Sequence, residues 1–91
     1  HSALERHEHV HAVLILRGSG WVLLGDAVHP ISKNDTIYIP PHTWHQFYAP
    51  KEEHLGFLCI VAAERDRPAR PTQDEIAEMK LNPAVADWIR A

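Results

Sequence analysis

The chain has 91 residues, 45% hydrophobic and 23% charged, with a formal net charge of −3 and a pI near 6.2. That length fits one small domain that buries roughly 60–65% of its unfolded surface, so a bound metal or a partner subunit is an expected source of extra stability. The acidic balance argues against a nucleic-acid footprint, and no apolar run approaches the ~18 residues of a membrane span. No signal-peptide pattern is present. The single cysteine, Cys59, leaves no internal disulfide and no cysteine zinc cluster. The expectation is a cytoplasmic chain that neither enters a membrane nor binds nucleic acid, with a small molecule as its partner. The chain starts close to its most conspicuous motif, and further residues upstream are expected.

In chain order, the pattern predicts short strands. Residues 9–16 are rich in β-branched and apolar types and stop at Gly18-Ser19-Gly20. Residues 21–24 and 27–31 flank Gly25-Asp26, a two-residue hairpin turn. Ser32-Lys33-Asn34-Asp35 is a turn cluster. Residues 36–39 end at Pro40-Pro41, which terminates a strand. Residues 45–49 and 54–62 complete the set. Short strands with turn signals at this spacing predict an all-β barrel or sandwich over residues 1–63. The apolar run Phe57-Leu58-Cys59-Ile60-Val61 predicts a buried, inert thiol at Cys59.

Composition changes after Ala63. Arginines and prolines alternate over residues 64–71, which reads as an extended linker. Thr72-Gln73-Asp74-Glu75 is a capping box that opens a helix to about Leu81. Asn82-Pro83 predicts a second, short helix. Ile76 and Met79, then Val85, Trp88 and Ile89, supply apolar stripes. Residues 72–91 are therefore a helical tail packed on the barrel or on a partner.

The chemistry-bearing signal is the row His7, His9 and His11, with His45 following the Pro40-Pro41 turn. Alternate residues of a strand share a face, and imidazole is the commonest protein metal ligand. Positions i and i+2 lie about 6.6 Å apart along a strand, and i and i+4 about 13 Å. A straight strand therefore lets His7 and His9, or His9 and His11, share an ion. His7 and His11 can do so only across a bend or bulge. His45 would come from a neighbouring strand. Val13, Ile15 and Phe47 share parity with His11 and His45 and should line the barrel interior as an apolar substrate pocket around the ion. His1, His29, His42 and His54 read as turn or surface residues.

The stretch from His7 to Gly20 resembles the first signature of the cupin family, and Asn34 to His45 resembles the second. The resemblance implies a small antiparallel jelly-roll barrel. Counting back from Gly18, His11 falls in the family's glutamate slot, His7 in its second histidine slot and Glu5 in its first. His45 falls in the last histidine slot. The implied ligands are Glu5, His7, His11 and His45; a shorter connection would give His7, His9, His11 and His45. Asn34 and His42 replace two family glycines, and Asn tolerates positive φ.

The resemblance also implies one divalent transition metal per chain, and Fe, Zn, Ni, Mn or Cu would suit such ligands. The three-histidine Fe(II) dioxygenases of the family are the nearest in appearance. They point to an enzyme acting on a small organic acid or carbonyl compound, with its catalytic residues unassigned. The alternatives are a non-catalytic ligand sensor and a purely structural metal. Six visible strands leave open edges, and a homodimer is the expected remedy.

Overall fold

The structure, a computed structural model, describes residues 1–51, 54–60 and 68–90. Six strands follow in order: β1 (His11–Arg17), β2 (Ser19–Leu24), β3 (Ala27–Ser32), β4 (Thr36–Ile39), β5 (His45–Tyr48) and β6 (Gly56–Ile60). One helix, α1 (Gln73–Met79), comes after them. The strands form two antiparallel sheets, ordered β4-β1-β6 and β3-β2-β5. This is the all-β barrel that the strand pattern predicted.

Alternation along β1 explains the core. Val13 and Ile15 point inward and join Val22, Ile31, Ile37, Ile39 and Phe47 in one apolar cluster between the sheets. The intervening residues of β1 face outward. The turns follow the special residues: Gly25 closes the β2–β3 hairpin at φ 59, and Asn34 takes φ 78, the positive value expected of it. Gly18 is required twice over. Its φ is +80, and an added Cβ would lie 2.3 Å from the His54 carbonyl oxygen.

A second cluster covers the outer face of β3-β2-β5. Leu23 and Tyr48 from the sheet meet Leu4, Val85 and Ile89, with Ile76, Met79 and Trp88 packed around them. Helix α1 begins at the expected capping box, with the Thr72 hydroxyl accepting from Glu75 N–H and the Glu75 carboxylate accepting from Thr72 N–H. The expected second helix is absent among the described residues: residues 81–88 are turns and a bend. Asn82 caps that turn, because its side chain accepts from Ala84 N–H and its carbonyl from Val85 and Ala86 N–H. So short a segment does not recover the cost of nucleating a helix. Its apolar side chains dock all the same.

Gln46 joins these layers. It is fully buried on β5, donates to the carbonyls of Ser2 and Arg90, and accepts from Arg90 N–H and the Tyr48 hydroxyl. Burial pushes the Tyr48 phenol up to about 12. Residues 61–67 lie outside the described residues, and with them the end of the predicted last strand and most of the predicted linker. The described end of that linker is paired: Ala69 and Arg6 exchange backbone hydrogen bonds at 3.0 and 2.7 Å.

Cys59 corrects its sequence reading: it is exposed. An apolar run marks a buried strand only where both faces are covered. β6 pairs with β1 and with no other strand among the described residues. Leu58 and Ile60 are exposed beside it.

Candidate metal centre

The bend required for His7 and His11 to meet is present. Strand β1 starts only at His11, and the chain bends at Glu8-His9 just before it. Upstream, residues 2–7 run antiparallel beside β5, with Glu5 and His45 exchanging hydrogen bonds at 3.2 and 3.0 Å. His7 is thereby carried by an added edge of one sheet, His45 by β5 of that sheet, and His11 by β1 of the other. Their ligand atoms all lie within 4.8 Å of one another.

Ring orientation separates the candidates. The rings of His7, His11 and His45 are mutually steep, at 73°, 63° and 74°. A ring nitrogen's lone pair lies in the ring plane, so steeply crossed planes can converge on one ion. His9 instead stacks on His7 at 4.0 Å with only 9° between planes. Parallel in-plane lone pairs about 4 Å apart cannot meet at one ion with bonds of about 2.1 Å. His9, the middle of the row, lies outside the convergent group. So does the Glu5 carboxylate, which faces Arg70 at 3.6 Å.

Tautomers follow from backbone partners. The Nδ1 of His7 lies 2.8 Å from the His9 carbonyl, and the Nδ1 of His45 lies 2.9 Å from the Thr43 carbonyl. A carbonyl only accepts, so both rings carry their proton on Nδ1 and present a bare Nε2. For His7 that Nε2 is buried without a hydrogen-bond partner, a condition that the Nε2 atom of His9 shares, so ring orientation and not this feature separates the two. A buried orphan acceptor is costly, and a metal ion removes the cost. Burial, ahead of the neighbouring charges, lowers the His45 pKa from 6.5, which keeps its lone pair available. Nitrogens on one ion bonded at about 2.1 Å would stand about 3–3.4 Å apart, against separations of at most 4.8 Å here. Donor chemistry, tautomers and the orphaned nitrogen all fit a divalent transition metal.

His42 was read as a turn residue, and its ring is exposed. Its backbone does more. At φ 59 its N–H donates to the His7 carbonyl at 2.7 Å. The turn after β4 thus fixes His7 as well as introducing His45. The signal was its place in a glycine slot, where a positive φ is expected. Val13 and Ile15 are fully buried in the core, and Phe47 stacks with Phe57 at 5.0 Å. Cys59 pairs with Val13 and so faces the interior, yet it is exposed. Desolvation first, and the Glu5 charge second, raise its pKa, so it is a thiol at neutral pH.

The family model described as "Cupin domain" matches residues 1–61. The chain belongs to the cupin domain family. Among solved structures, this cupin is similar to a cupin 2 conserved barrel domain protein from Rhodopseudomonas palustris, with a TM-score of 0.95 and 51% identity over 99% of this chain and 62% of that one. A cupin 2 domain-containing protein from Halorhodospira halophila gives a TM-score of 0.93 and 50% identity over 99% of this chain and 63% of that one. Among curated proteins, it is 48% identical to the 1-methylthio-D-xylulose 5-phosphate methylsulfurylase of Rhodospirillum rubrum, over 98% of this chain. The chain spans 57% of that relative's length. No helix among the described residues is long and apolar enough to cross a membrane.

Proposed function

We propose that this cupin is a metal-dependent enzyme acting on a small phosphorylated keto sugar that carries a thioether on the carbon beside its ketone. The observation that carries the metal half is the convergence of His7, His11 and His45 with two tautomers already set. The substrate half draws on the methylsulfurylase similarity, which spans nearly the whole of this chain. A ketose phosphate is also a carbonyl compound, the class expected from the sequence.

His7, His11 and His45 would hold the ion, which when bound supplies Lewis acidity to a substrate oxygen. Backbone partners orient rings within this set. The His9 and Thr43 carbonyls fix two of them, and the His42 N–H fixes the backbone of His7. Such partners of ligating histidines govern metal affinity.

The test is to load the protein separately with Fe(II), Mn(II), Ni(II) and Zn(II), supply 1-methylthio-D-xylulose 5-phosphate with a thiol reductant, and follow the thioether signal by NMR. Loss of that signal with one metal, abolished by chelation and by His11→Ala, is the expected result. A loaded, folded protein that leaves the thioether intact contradicts it. The three-histidine set also favours a second reading, the dioxygenase-like one. Oxygen uptake by the Fe(II) form, on a carbonyl substrate without a thioether, would select it. Metal without turnover on any substrate would select a binding module.

A further inference from the structure

Glu5 and Arg70 lie on the metal-facing side of the barrel, and neither is among the convergent ligands. Residues directly opposite each other on paired strands project to the same side. Glu5 pairs with His45, and Arg6 pairs with Ala69, which brings Arg70 opposite Glu5. One row therefore crosses three adjacent chain segments: His45, Glu5, Arg70. The side chains agree with the backbone, since Arg70 Nε stands 3.6 Å from Glu5 Oε2. The Glu5 charge also reaches both His45 and Cys59.

We propose that Arg70 is the residue that binds the anionic end of the substrate, a phosphate, and that Glu5 occupies its guanidinium until that phosphate arrives. The inference rests on the reading of the site as one for a phosphorylated sugar, and it names the residue that selects for the phosphate. Three features carry it. The ion pair is loose, and the Arg70 side chain is 69% exposed, so the guanidinium is free to exchange partners. A guanidinium takes phosphate with two parallel hydrogen bonds, a stronger arrangement than a single long contact to one carboxylate oxygen. Two strand spacings separate Arg70 from His45, roughly 10 Å between backbones. That is the scale of a five-carbon sugar phosphate lying with its carbonyl end at the triad.

Calorimetry on the metal-loaded protein tests this with D-xylulose 5-phosphate and D-xylulose as probes. The wild type should prefer the phosphorylated sugar by roughly 10–100-fold, the worth of hydrogen bonds to a charged group. Arg70→Gln should erase that preference and Arg70→Lys should restore part of it, with metal content and melting temperature unchanged in both. Glu5→Gln should keep the metal and bind the phosphorylated sugar more tightly. In turnover, Arg70→Gln should raise KM far more than it lowers kcat. An undiminished preference in Arg70→Gln overturns the proposal, as does a wild type with no preference or a Glu5→Gln variant that loses its metal. The two readings fail separately. Phosphate preference through Arg70 without thioether turnover sinks the enzymatic reading alone. Thioether turnover untouched by Arg70→Gln sinks this inference alone.

Discussion

The sheet β3-β2-β5 has its outer face covered by the chain's own N-terminal segment and C-terminal tail, whereas the outer face of β4-β1-β6 is bare among the described residues. On the covered sheet, Leu23 is fully buried and Tyr48 nearly so. On the other, Tyr38 is 59% exposed, Leu58 51% and Ile60 59%. Both sheets share one inner core. The difference teaches where the fold is self-sufficient and where it waits for something else. It also gives the metal site a structural meaning, because His45 belongs to the covered sheet and His11 to the bare one. An ion held by both would fasten the sheets together at one end of the barrel.

The comparison breaks most severely at Gln46. Gln46→Leu keeps the volume but strands the Arg90 N–H and carbonyl and the Tyr48 hydroxyl, whereas the Ser2 carbonyl keeps the His1 ring as a donor. Each buried orphan costs about 1–3 kcal/mol, so urea denaturation should show a loss of roughly 3 kcal/mol or more. Ile89→Ala, which thins the cover itself, should cost about 2–3 kcal/mol in the same experiment. Thr72→Ala removes the cap of α1 and should cost about 1 kcal/mol.

The pH dependence of that cap has a definite sign. Hydrogen bonding from the Thr72 backbone, then Arg6, holds the Glu75 carboxyl below 4.5. Its stabilising effect is complete above the unfolded value and disappears as pH falls through the folded one. Acid titration followed by circular dichroism should show this step in the wild type and not in Glu75→Gln.

The smallest effect on stability is expected on the bare face. Leu58→Ser should change the stability of the single chain by no more than about 0.5 kcal/mol. If two copies cover this face in each other, light scattering should find dimers for the wild type and monomers for the variant. A monomeric wild type would sharpen the comparison instead: the bare face would then be left to water.

Legibility in the sequence followed the same division. All six strands could be read from alternation and turn residues, and the capping box marked the start of α1 to the residue, though the helix ends at Met79 rather than near Leu81. The convergent group His7, His11 and His45 falls on positions that the cupin resemblance picks out by counting from Gly18, and strand spacing required a bend between the first two. Tertiary placement was not legible. The run around Cys59 looks buried until β6 proves to be an edge among the described residues. The turn from Asn82 looks helical until its length proves too short to nucleate. Arg70 looked like part of a linker, because nothing local says that Ala69 pairs with Arg6 and turns the guanidinium toward Glu5. Stacking of His9 on His7 is a ring-plane relation that no sequence spacing encodes.

Metal content per chain, measured by elemental analysis on the wild type, His45→Ala and His9→Ala purified alike, tests the central claim most directly. The account predicts about one transition-metal ion in the wild type, close to none in His45→Ala, and near wild-type content in His9→Ala, with melting temperature falling only where the metal is lost. Equal loss in His9→Ala, or a wild type that neither carries nor takes up metal, would contradict it.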